Sequence, residues 1–130
     1  QRDLLQNLGA YGAMAMAIGM VRELAKDAMD MEGDAAAKKS TFPLWKGENL
    51  TRRLCLVLWI CVALMYAAGI QHWGGIEEWP SWIQWATPFP GWAACLFLLL
   101  QRKTRWKSLS RATLATLILG IAQCAWIPGI

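Results

Sequence analysis

At 130 residues the chain is one domain at most, and its 56% hydrophobic and 17% charged residues set it apart from water-soluble chains, which carry roughly 25% charge. The net charge of +4 would admit a nucleic-acid partner, but the cations are accounted for by their positions around apolar segments, which excludes that class. Residues 54–71 and 112–130 contain no charge at all, so charged stretches punctuate apolar ones, the pattern of a membrane protein. The chain opens on Gln1 rather than Met, so a segment upstream of this sequence is expected to have been removed or left out.

Residues 1–31 are expected to form an N-terminal helix, because 4–31 lacks proline and is rich in Ala, Leu and Met. Leu4, Tyr11, Ile18 and Ala25 recur every seven residues, as do Met14, Val21 and Ala28, which makes a packing seam. Gly9, Ala13 and Ala17 form a small-residue row that permits close helix approach. The apolar run 8–21 falls short of the roughly 20 residues needed to span a bilayer. This amphipathic, small-residue-rich helix is therefore placed on the inner side, interfacial or docked on a partner, with membrane embedding as the alternative. A charge at Ile18 should break such docking.

Residues 32–53 read as a polar linker with Gly33, Pro43 and Gly47 as breakers. Its Asn49-Leu50-Thr51 matches a glycosylation acceptor but falls on the inner side, so it is expected to stay unmodified. A three-span membrane domain, 54–130, follows. The first span is 54–71, about 27 Å of helix. The stretch HWGGIEEWPSWIQWATPFPGW (72–92) then carries five of the nine tryptophans and no Lys or Arg. Indole has an apolar body and one N–H donor, so it settles at headgroup level. Trp73, Trp79, Trp82, Trp85 and Trp92 are expected as outer interfacial anchors, with a short Trp-faced helix lying on the surface. A second span, 82–100, descends past Pro88 and Pro90, which no straight helix accommodates without losing hydrogen bonds. A basic inner connection, 101–111, holds Trp106 as the inner-belt ring, and a third span, 112–128, ends near Trp126 at the outer boundary.

Orientation follows from the cations. Arg52 and Arg53 precede the first span, and Arg102, Lys103, Arg105 and Lys107 lie between the last two, whereas the first loop has only Glu77 and Glu78. The positive-inside rule then puts the N-terminus on the cytoplasmic or equivalent inner side and the C-terminus outside.

Chemistry finds no foothold in these residues. His72, the only histidine, could ligate a haem iron or a pigment metal, but no second ligand stands near it, and an interfacial histidine bonded to water or backbone accounts for it. Glu77 and Glu78 are neighbours that point about 100° apart on a helix, which suits a favourable dipole position better than a general acid pair. Cys55, Cys61, Cys95 and Cys124 show no metal or redox spacing and read as small buried hydrophobes. No charge lies deep in a span, as a proton relay would need. The expectation is an all-α integral membrane protein, not an enzyme and without a cofactor. Its partners are membrane lipids and other membrane subunits, as a non-catalytic subunit or assembly factor of a larger complex. A self-oligomerising lesion former of the phage holin type is the alternative.

Overall fold

The structure, a computed structural model, describes residues 2–72, 89–101 and 103–125. Helix α1, Arg2–Met29, is built from strong helix formers without proline and runs about 42 Å. Its backbone turns over at Asp30, whose carbonyl accepts the Asp34 N–H at 2.8 Å and so opens α2, Met31–Ala36. α2 stops where Lys38 takes a left-handed φ of 55°, while Lys39 N–H reaches back to the Asp34 carbonyl at 2.9 Å. That is the Schellman end of a helix, with lysine in the seat glycine usually occupies.

Helix α3, Phe42–Lys46, shows why Pro43 is no breaker here: it stands in the first turn, where a missing N–H costs nothing. Gly47, at φ 82°, closes α3 and passes the chain directly into α4, Glu48–His72. The Thr51 hydroxyl bonds the Gly47 carbonyl at 3.0 Å and holds this first turn. The segment 32–53, expected as a linker, thus contains two short helices and the first six residues of α4. Hydropathy marks the apolar part of α4, and the helix itself begins earlier, in its charged turns.

The last two helices are α5, Phe89–Leu100, and α6, Trp106–Ala125. α1 packs on α4 and α6, α5 packs on α4 and α6, and together they close a four-helix ring. Three polar contacts set direction. Arg52 Nη1 donates to the Gln101 carbonyl at 3.0 Å, and Trp59 Nε1 donates to the Trp92 carbonyl at 3.4 Å, so α4 and α5 are antiparallel. Trp106 Nε1 donates to Glu48 Oε1 at 2.8 Å, so α4 and α6 start at the same end. The α2–α3 turn returns α1 to α4, completing an up-down-up-down bundle.

The core consists of Val21, Ala25 and Ala28 from α1, Cys55 and Trp59 from α4, Cys95 and Leu99 from α5, and Trp106 and Leu109 from α6. Most of these are small, and buried Thr51, Thr113 and Thr116 join them. The latter two hydroxyls bond their own helix, Thr113 to the Leu109 carbonyl at 3.0 Å and Thr116 to the Ala112 carbonyl at 2.8 Å, so they satisfy themselves without water.

Small interior residues bring the helices close, most tightly at Gly91. A Cβ there would run into the Thr116 hydroxyl and stand 3.1 Å from the Thr116 Cβ. Gly91→Ala should therefore destabilise the bundle by about 1–3 kcal/mol, the usual cost of overpacking. Denaturant unfolding in detergent measures this, and adding Thr116→Ala to the same chain should recover most of the loss.

Candidate functional site

The feature that stands out is the outer surface. On α1 the outward residues change from charged Glu23 to exposed Met20 and Met16; on α4, from Arg53 to Val57, Ile60 and Leu64. On α5 they change from Lys103, just past its end, to Leu100, Phe97 and Leu96, and on α6 from Arg111 to Leu114, Ile118 and Leu119. The contacts of Arg52 with Gln101 and of Trp106 with Glu48 put the changes on α4, α5 and α6 at one level. The hairpin from α1 into α4 brings the fourth to the same end of the bundle. Above this level large apolar side chains point outward, Leu64 and Phe97 with about two-thirds of their surface free (66% and 65%), while the inside holds Cys55, Cys95, Thr113 and Thr116 beside Trp59, Val62, Met14 and Val21. Water disfavours so much large apolar surface left facing outward.

Within α4 the stretch Glu48–Ala68, 21 residues, is long and apolar enough to cross a membrane, and only 22% of its apolar window is buried inside the chain. A helix in the middle of a water-soluble core would be mostly covered. Of the described residues in the other two expected spans, Pro90–Leu100 is apolar but short, and α6 spends its first turns on Lys107, Ser108, Ser110 and Arg111. One helix among the described residues thus passes by length and composition, where three spans were expected.

The charged end is ordered by its own contacts. Glu23 pairs with Lys26 at 2.8 Å and Arg22 at 3.0 Å, and the Lys26 ammonium chiefly holds that carboxyl below its ordinary range. Asp34, buried, meets Lys39 at 3.4 Å. Arg53, Lys103, Arg105, Lys107 and Arg111 are exposed, and none of them has a carboxylate within ion-pair distance among the described residues.

Two tryptophans depart from the belt expected of them. Trp106 is only 8% exposed and sits in the core, because α6 starts beside Glu48, whose carboxylate takes the indole N–H. Trp92 is partly buried, packed on the core and edge-to-face with Tyr66 at 4.9 Å. The ring that does stand free at the charged end is Trp45, 72% exposed, with the Lys46 ammonium 3.5 Å from its centre. Its one sequence signal, an aromatic next to a lysine in a supposed linker, is too common to single out. Trp73, Trp79, Trp82, Trp85, Trp126 and Arg102 lie outside the described residues, as do Glu77 and Glu78.

Over its described side chains the seam of α1 packs on this chain's own α4 and α6, and the side chains of Leu4 and Tyr11 lie outside what the structure describes. Met14, Val21, Ala25 and Ala28 are buried, and Ile18 packs against them. The small-residue row does not serve this packing: Gly9 and Ala13 are exposed, Ala17 half-buried, and a Cβ at Gly9 would meet nothing within 4 Å.

Glu48→Ala should leave the buried Trp106 N–H without its acceptor and cost about 1–3 kcal/mol, whereas Glu48→Gln, which keeps an acceptor oxygen, should keep most of the stability. The unfolding midpoints of the two variants decide it. Among the described residues no three His, Cys, Asp or Glu side chains converge as metal ligands. No protein-family model, curated protein or solved structure matches this chain.

Proposed function

We propose that the chain is a small integral membrane protein and serves as a non-catalytic subunit or assembly factor of a larger membrane complex. The observation that carries this reading is the level at which the outward stripes of α4, α5 and α6 turn from charge to exposed large apolar side chains, with α1 making the same change from the same end of the bundle. A bilayer is the solvent that rewards such a surface, and satisfied threonines inside are compatible with it.

In this reading α1 crosses beside the other three helices. Its packing along α4 and α6 carries its apolar part, 8–21, to the depth of theirs, so neighbours cover what a short span lacks. The N-terminus then lies on the side of the Trp-rich loop, the reverse of the sequence expectation, and the Lys/Arg end stays inside. A cysteine placed at Gly75 and one placed at Asp3 should both react with a membrane-impermeant reagent from outside, and one at Lys107 only after permeabilisation. Labelling of Asp3→Cys only after permeabilisation would place α1 on the inner surface instead.

In the subunit role the outward apolar faces of α1, α4, α5 and α6 are the contact surface, which partner helices and lipid suit equally well. Extraction from the native membrane in mild detergent, followed by mass analysis, tests it. Stoichiometric foreign subunits are expected. A ring of identical copies would replace this role with that of a self-assembling lesion former, for which the open Gly9 and Ala13 face of α1 offers a seam.

A further inference from the structure

The charges at the inner end are unevenly shared. The carboxylates of this end, Glu23, Asp27, Asp30, Glu32, Asp34 and Glu48, all belong to α1, α2, the Asp30 turn between them or the first residue of α4. From residue 89 to the C-terminus the chain has no acidic residue at all. α5 ends between the starts of α4 and α6, as the Arg52–Gln101 and Trp106–Glu48 contacts show. On that side Arg53, Lys103, Arg105, Lys107 and Arg111 are exposed and lack ion-pair partners among the described residues. Lys107 and Arg111 are one helical turn apart and continue directly into the exposed apolar stripe of Leu114 and Ile118.

We infer that this face, around the α5–α6 turn, is a binding surface for the headgroups of anionic phospholipids, and that the α1–α2 side of the same collar is not. The inference rests on the membrane placement proposed above and names the lipid class this face selects. A cation seated one turn below an apolar stripe meets the phosphate of a lipid whose chains lie along that stripe. Guanidinium groups hold phosphate by two parallel N–H donors, and lysine adds a point charge. Net negative headgroups are preferred over zwitterionic ones because five unpaired cations outnumber the one carboxylate beside them among the described residues, Glu48, whose Oε1 accepts the Trp106 N–H. On the α1 side Arg22 and Lys26 are already spent on Glu23.

The test uses the whole chain reconstituted in phosphatidylcholine vesicles with a trace of spin-labelled lipid, either phosphatidylglycerol or phosphatidylcholine. The motionally restricted fraction of each reports association with the protein. Labelled phosphatidylglycerol should be enriched about fivefold for each cation that touches its headgroup. Lys107→Gln with Arg111→Gln should remove most of that enrichment, and Arg22→Gln with Lys26→Gln should leave it unchanged. Equal association of the two lipids with inserted protein overturns the inference and leaves the membrane placement standing, as does an equal loss from both pairs of substitutions. Failure to enter vesicles of either composition overturns both. Displacement of the lipid by inorganic phosphate at matched ionic strength would mean a site for free anions instead of lipid.

Discussion

Trp59→Ala should be the most damaging single truncation in the bundle. The ring is 4% exposed, spans the interior between α4 and α5, and its N–H reaches the Trp92 carbonyl. In a core surrounded by water such a change costs roughly 3–5 kcal/mol, part of it transfer of the ring from water and part the cavity left behind. Where lipid is the surrounding solvent the transfer part largely disappears, since hydrocarbon is as apolar as the interior. The cavity and the lost dispersion contacts remain, at about 2 kcal/mol or more. Trp59→Phe should recover much of the packing and lose the hydrogen bond, placing it between wild type and Ala. Unfolding midpoints in detergent give the order; Trp59→Ala indistinguishable from wild type would mean that α4 and α5 do not share this core.

The second large effect is Val21→Asp. Val21 is fully buried on the face of α1 that meets the rest of the core. A carboxylate there lacks a partner, and burying it costs several kcal/mol even if it takes up a proton instead. In detergent α1 should release from the other three helices, becoming open to proteolysis between residues 2 and 29 while α4 and α6 stay protected. Met20→Asp, next in sequence but half exposed, avoids that core. Equal protection of α1 in the Val21→Asp protein and in wild type would contradict the seam. Ile18→Asp, at a partly buried position of the same face, should act in the same direction more weakly.

The elements were legible to unequal degrees. The body of α1 could be read from composition, and its seam from the seven-residue recurrence, because both signals are local and repeated. What covers that seam could not be read: the partners on α4 and α6 lie dozens of residues away, and nothing near Val21 names them. Inside the run 54–65 every residue is apolar, so no polar interruption reveals that Cys55, Trp59 and Val62 turn inward while Val57 and Leu64 turn outward. Trp106 looked like a belt ring because it stands at a charge boundary. Its burial depends on Glu48, 58 residues earlier, being level with it. Pro43 and Gly47 are breakers by residue type, yet each sits at a helix end, where it is tolerated. α2 and α3 are too short to show any period at all.

The placement of the apolar belt in a bilayer can be tested at a native position. Cys61 lies on the outward face of α4, exposed, among Val57, Ile60 and Leu64, whereas Cys55 and Cys95 are buried. A nitroxide attached to Cys61, with Cys55, Cys95 and Cys124 replaced by Ala, can be probed after reconstitution by collision with oxygen, which concentrates in hydrocarbon, and with a water-soluble nickel chelate. A label within the belt should collide freely with oxygen and hardly at all with the chelate, in contrast to a label at Glu23 in the charged collar. Chelate access at Cys61 equal to that at Glu23 would show the belt to be in water and contradict the membrane placement.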